Sequence, residues 1–196
     1  MTAPQSAPFT IVDLVQGTES WRQWRAGGIG ASDAPAIMGE NPWKSAKDLL
    51  FERRNPELAR RRQTVTSAMT RGVMLEPRAR AAYCTIRGVN VRPLCAQSRA
   101  HEWMRCSLDG ICVDTMQAVE IKCGPAIHAR TGRSRTVPRA LYGQLQHTMA
   151  VTGLLKMDFF CYLPDRPPIL FSVPRDASYI ERLIEKEAAF WNELCA

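Results

Sequence analysis

The stretch CSLDGICVDTMQAVEIKC, Cys106 to Cys123, decides the fold. It alternates apolar and other residues on both sides of VDTMQ, so it reads as two strands joined by a turn. Three charges sit in it among apolar neighbours: Asp109, Glu120 and Lys122. A turn centred between Thr115 and Met116 puts Asp109 opposite Lys122 and Ile111 opposite Glu120. Residues two apart on a strand share a face, so all three charges then project to one side. A one-residue slip would separate Asp109 from the other two.

Two carboxylates on one face repel unless something positive sits between them. A hard divalent cation does this with oxygen ligands, and Mg²⁺ takes one or two carboxylates plus waters and phosphate oxygens. Asp109, Glu120 and the backbone carbonyl of Ile121 form such a donor set. Lys122 beside it would position a water or, if the cation lowers its pKa, take a proton. Phosphodiester hydrolysis needs these parts. The bland alternative is a surface hairpin with a cross-strand salt bridge.

Around this hairpin the chain reads helices first. Thr18–Gly28 is a short capped helix, and Ser32 is an N-cap for a helix over 33–38 ended by Gly39. NPW is a turn, and Ser45–Asn55 is a third helix, capped by Ser45 with Asp48 in its first turn. Residues 56–67 read as a loop or short helix. Ala68–Gly88 is helical in pattern, but Pro77 places Glu76 at a kink or a helix start. VNVRPLCAQ is a strand with Pro93 marking an edge or bulge. Beyond the hairpin come a basic loop, an amphipathic helix over Pro138–Gly153, two strands, and a closing helix capped by Asp176. The expected architecture is one α/β domain over residues 18–196, a three-layer sandwich with a central mixed sheet. Residues 1–17 are expected to be a disordered or extended lead.

Composition agrees with a globular protein acting on a polyanion. The chain has 196 residues, 45% of them hydrophobic, and a net charge of +7. No run approaches the roughly 18 apolar residues that span a bilayer, and MTAPQSAPFT lacks the pattern of a secretory signal. The seven cysteines include no CxxC and no Cys/His pair at zinc-finger spacing. They read as reduced thiols of a cytoplasmic protein without zinc or an iron–sulfur cluster. His101, His128 and His147 show no metal spacing.

WRAGGIGASDAPAIMG, RGVMLEP, SLDG, EIK and QLQHTMAVTG occur in that order between Trp21 and Pro164. Each is weak alone. Together they resemble the phage-type alkaline exonucleases, the YqaJ-like and lambda-exonuclease group of the PD-(D/E)xK nuclease superfamily. The resemblance implies a restriction-endonuclease-like core and Mg²⁺-dependent 5′-to-3′ digestion, with Mn²⁺ as substitute, of one strand of linear duplex DNA to leave single-stranded DNA. It also implies a homotrimeric ring threading the duplex, and a single-strand-annealing protein as recombination partner. Two other readings share the fold: a catalytically inactive DNA-binding or assembly protein, and an endonuclease. The intact Asp109, Glu120, Lys122 and Glu76 favour an active enzyme, and GIGASD favours one that recognises ends.

Carried onto this chain, the family pattern makes Asp109 and Glu120 the metal-binding acids, Lys122 the motif lysine and Glu76 the helix-borne acid. Gln144 and Gln146 lie two apart on a helix and cannot both face the site; both are candidates, with Gln146 favoured. The terminal 5′ phosphate falls to Arg25, Ser32 and the backbone at Gly30, with glycines 27 and 28 allowing close approach. Arg130, Arg133, Arg135 and Arg139 crowd the basic loop, read as mobile and phosphate-tracking, and RRRQ at Arg60–Gln63 is a weaker version of it. Leu108 stands where the superfamily signature names proline. Trp43 is expected in the interior.

Overall fold

The computed structural model describes residues 7–62 and 67–196, and side chains outside 60–69. The chain opens with strand β1 (Phe9–Val12). Helix α1 (Glu19–Ala26) is capped by Thr18, whose Oγ1 accepts from the Trp21 N–H at 3.3 Å. Strand β2 (Ile29–Gly30), a 3-10 turn (Ala31–Asp33) and α2 (Ala34–Ile37) follow. Helix α3 (Ala46–Arg54) starts at a reciprocal Ser45–Asp48 capping box. Then come α4 (Pro56–Arg62), α5 (Ser67–Arg87), β3 (Arg92–Ser98), β4 (Met104–Cys112) and β5 (Gln117–Lys122). The chain closes with α6 (Pro125–Ser134), α7 (Arg139–Thr152), β6 (Lys156–Leu163), β7 (Arg166–Pro174) and α8 (Ala177–Cys195).

One mixed sheet carries the order β1-β3-β4-β5-β6-β7, with β2 parallel to the start of β4. Strands β5 and β6 are parallel, so the chain needs a crossover between them, and α6 and α7 supply it. Strand β6, KMDFFCYL, is a nearly unbroken apolar run because it is covered on both faces. Its Phe159 joins the core beneath Leu145 and Met149 of α7. Its Phe160 joins Ala79 and Tyr83 of α5 on the other face. Helices on both faces of a mixed sheet are the three-layer sandwich expected from sequence.

Several local expectations change. Phe9–Val12 is extended, but it pairs antiparallel with β3 and buries Phe9, so the sheet reaches into the supposed lead. Glu76 lies inside α5, not at a helix start: the helix runs through Pro77. Proline deprives the Val73 carbonyl of its helical donor, and Val73 and Met74 are 71% and 75% exposed, where water can serve it. The basic loop is helix α6: Gly124 caps it, Pro125 sits in its first turn, and His128 and Thr131 bury one side. Trp43 is 82% exposed. Asn41 Oδ1 accepts from both the Trp43 and Lys44 N–H groups, and this tight turn throws the indole outward. The side chains of Arg60–Gln63 lie outside the described residues. Among the described residues, no helix is long and apolar enough to cross a membrane, and Cys95, Cys106 and Cys161 are buried free thiols.

Candidate active site

Strand β4 builds the site because its register is broken. Arg92 of β3 pairs with Ile111, but Leu94 pairs with Leu108, so β4 carries one extra residue, a β-bulge. Leu108 and Ile111 both stay in the core beneath α7, and Asp109 is swung out of strict alternation between them. Gly110 is required there: a Cβ would come 2.7 Å from Val91 Cγ2. On the edge of β4 away from β3, β2 covers Met104 and Arg105, and β5 covers only Gly110 to Cys112. The strand between is left without a neighbour, and Asp109 lies at this gap. Its Oδ2 accepts the Ile121 N–H at 2.7 Å, doing for β5 what a ladder carbonyl would do.

The β4–β5 turn is centred between Asp114 and Thr115, one residue earlier than read from sequence, since Gly110 faces Val119 and Ile111 faces Ala118. Extending the ladder puts Asp109 opposite Glu120, not Lys122. The parity the grouping needs is kept, so the three charges still gather.

Glu120 is almost wholly buried and is held from two sides. Its Oε1 accepts from Lys122 Nζ at 2.6 Å and from Gln144 Nε2 at 2.7 Å. Lys122 Nζ also reaches Gln144 Oε1 at 3.4 Å. Gln144 is therefore the glutamine of the site. Gln146, favoured from sequence, is fully buried elsewhere, donating to the Pro174 carbonyl and accepting from the Asp176 N–H. Glu76 enters from α5 through Arg80, which contacts its carboxylate and donates to the Asp109 carbonyl at 2.6 Å.

The electrostatics are under-neutralised. Burial, then Glu120 and Glu76, push the Asp109 carboxyl well above the usual range, against the pull of Lys122. Burial also raises Glu76, partly offset by Arg80. Burial presses Lys122 down, but Glu120 and Asp109 outweigh it, and the ammonium is held more firmly than usual. Asp109 and Glu120 are hard oxygen donors on neighbouring strands at a place short of positive charge, and they suit a hard divalent cation. Among the described residues, no three His, Cys, Asp or Glu side chains converge as a closed metal cage. A cation held here would keep sites for water and phosphate.

A cavity of about 190 Å³ adjoins this centre, and Asp109 and Gln144 also line it. Its other walls include Arg25 and Ser32, whose side chains touch. The Arg25 guanidinium lies 5.1 Å from the centroid of the Trp21 ring, and Trp21 Nε1 donates to Ser107 Oγ at 2.9 Å. Ser32 sits in the 3-10 turn and is not a helix N-cap. Asp33, awkward in an anion site, is turned to the Gly30 N–H at 3.1 Å and to Arg53 at 3.4 Å. Gly28 must be glycine, since a Cβ would come 2.6 Å from the Trp103 carbonyl. Arg105 lies against Gly27 and Gly28, donates to the Trp24 carbonyl and buries an Nε–H without a partner.

Structure thus gathers Asp109, Glu120, Lys122, Glu76 and Gln144 in one centre, with Arg25, Ser32 and Gly30 beside it. Arg130, Arg133 and Arg135 are exposed on and just after α6, outside the cavity wall. Arg139 is exposed at the start of α7, 3.6 Å from Glu40. Sequence reading missed Trp21, Arg105 and Ser107. The last two had a signal, since they alternate with the buried Met104, Cys106 and Leu108.

Comparisons with known proteins place the chain by family and fold. The family described as the YqaJ-like viral recombinase domain matches residues 20–155. YqaJ, an uncharacterized protein of Bacillus subtilis strain 168, is 25% identical over 179 residues, which cover 89% of this chain and 56% of YqaJ. The chain thus spans about half the length of that curated relative. The crystal structure of LHK-Exo, an alkaline exonuclease from Laribacter hongkongensis, superposes with a TM-score of 0.79 at 29% identity, covering 90% of this chain and 92% of that one. LHK-Exo in complex with dAMP gives 0.77 at 28% identity over the same shares.

Proposed function

This chain belongs to the YqaJ-like viral recombinase domain family, and on that premise we propose that it is a deoxyribonuclease, a Mg²⁺-dependent exonuclease digesting the 5′-phosphorylated strand of linear duplex DNA. One observation carries the reading: a half-open pocket of about 190 Å³, walled by Arg25, Ser32 and Arg105, shares Asp109 and Gln144 with the carboxylate centre. An enzyme cutting internally has no use for a basic pocket for a terminal phosphate beside its hydrolytic acids. The likeness to an alkaline exonuclease supports it.

Asp109, Glu120 and the Ile121 carbonyl would hold the cation, with Mn²⁺ as substitute. When bound, the cation supplies Lewis acidity at the scissile phosphate. Lys122, beside the cation, orients water and steadies charge on the phosphate, or takes the proton of that water. Gln144 fixes the Glu120 carboxylate, and Arg80 ties Glu76 to the Asp109 backbone. Arg25 and Ser32 receive the terminal phosphate. The homotrimeric ring, the cytoplasmic setting and the single-strand-annealing partner that would use the product strand rest on the family resemblance.

The test is digestion of a linear duplex labelled separately at each 5′ and 3′ end, with Mg²⁺ and with chelator. Mg²⁺-dependent loss of the 5′ label, leaving long single strands, is the expected result. Arg25→Ala is expected to slow 5′-phosphorylated ends about tenfold more than 5′-hydroxyl ends, the loss of one charge-assisted pair. Binding without product in either metal would leave an inactive DNA-binding protein.

A further inference from the structure

His147 and Glu187 make a buried pair that the chemistry above does not use. Both are wholly buried. His147 Nδ1 lies 2.8 and 3.0 Å from the two Glu187 oxygens, and Nε2 lies 3.1 Å from the Arg105 carbonyl. A carbonyl only accepts, so Nε2 carries a hydrogen. Nδ1 and the carboxylate then share a single proton.

The position of this pair gives it consequence. His147 is three residues beyond Gln144 on α7, one turn along the helix. Gln144 grips Glu120 in the cleavage centre. His147 grips the backbone of Arg105, the residue of β4 that pairs with Gly30 and lines the phosphate pocket. One turn of α7 therefore holds both halves of the site, and Glu187 of α8 backs it.

We infer that His147, seated on Glu187, is a positioning residue that fixes the phosphate pocket relative to the cleavage centre and releases this hold when the pair gives up its shared proton. The inference rests on the exonuclease reading. Burial pulls His147 down, but Glu187 outweighs it and the imidazole sits above its usual pKa; burial likewise lifts Glu187. Both shifts favour the protonated pair, so the hold weakens as pH rises through them. The other charges reaching the pair are Asp33, itself held by Arg53, and His101. Without the shared proton the ring keeps a single N–H, which serves the Glu187 carboxylate or the Arg105 carbonyl but not both.

The experiment compares digestion of 5′-phosphorylated and 5′-hydroxyl duplex ends from pH 7 to 10 for wild type, His147→Gln and Glu187→Gln. In wild type the phosphate preference is expected to fall at the alkaline end. Glu187→Gln keeps an amide donor for Nδ1 and has no proton to lose, so its preference is expected to stay flat with pH. His147→Gln is expected to lose about tenfold of the preference at neutral pH, on the scale of a lost supporting hydrogen bond, with duplex affinity within threefold of wild type. A preference with the same size and pH profile in all three proteins would overturn the inference. If His147→Gln does not fold, the profile of Glu187→Gln decides alone. If wild type cuts nothing, the exonuclease reading fails by itself, and the same contrast is read from binding of phosphorylated and unphosphorylated ends.

Discussion

Two buried carboxylates sit on opposite faces of the β5–β6 pair and are treated in opposite ways. Asp158, on the α5 face, accepts from Tyr83 Oη at 2.9 Å, Arg87 Nε at 2.8 Å and Ser172 Oγ at 2.5 Å. Gln117 supports the same Tyr83 hydroxyl from behind at 3.0 Å. On the other face Glu120 has Lys122 and Gln144, but must share that positive charge with Asp109 and Glu76. One face is neutralised within the protein. The other is left open, to be completed from outside. A buried acid with a full donor set holds the fold, whereas acids crowding each other on a bulge store the demand for a cation.

Removing each acid should separate these roles most sharply. Asp109→Ala or Glu120→Ala is expected to slow cleavage by about 10³-fold, the scale of a missing electrostatic stabiliser, while the metal-free protein loses less stability than Asp158→Ala does, since relieved repulsion offsets the lost bonds. Asp158→Ala removes the partner of a partly exposed arginine and orphans a buried tyrosine hydroxyl and a serine, and is expected to lose about 2 kcal/mol of stability. Its rate per folded molecule should stay near wild type. Urea unfolding beside single-turnover digestion reads both. An Asp158→Ala protein that is stable but inactive would erase the distinction.

The glutamines of α7 repeat the contrast on a smaller scale. Gln144→Ala leaves Glu120 to Lys122 alone and is expected to cost about 10- to 100-fold in rate, as for residues that orient a metal ligand. Gln146→Ala opens the bonds to Pro174 and Asp176 and should cost about 1–3 kcal/mol of stability with little change in rate. The reverse pattern would restore Gln146 to the site.

Much of this was readable in the sequence, and what was missed has physical causes. Asp109, Glu120 and Lys122 stood out because charges in a half-buried strand pair are expensive, and the odd-register argument survived a shift of the turn. The bulge did not show, because an extra residue in β4 leaves the alternating pattern intact on each side. The choice between Gln144 and Gln146 needed the rotation of α7 against the sheet, which is set by tertiary packing. Gly143 shows how tight that packing is: a Cβ there would come 2.8 Å from the Tyr179 hydroxyl. Helix α6 was hidden by its arginines, although Gly124-Pro125 is a helix start in plain view. The His147–Glu187 pair joins residues forty positions apart, and no local pattern announces it.

The smallest expected effect concerns charges that belong to neither face of the comparison. Arg130, Arg133 and Arg135 are exposed, and the helix fixes the first two one turn apart. Such charges meet phosphates without reading an end, so they should add affinity evenly along a duplex. Replacing all three with Ala is expected to weaken duplex binding several-fold at low salt. The log–log salt slope should drop by up to about 0.9 for each phosphate that is no longer neutralised. The 5′-phosphate preference should not move, because the pocket around Arg25 is untouched. Arg139 should contribute less than the others, since Glu40 lies 3.6 Å away and an exposed pair of this kind is worth about 0–1 kcal/mol. A preference that fell together with the slope would mean that α6 reaches the DNA end itself, and that end recognition extends beyond the walls of the cavity.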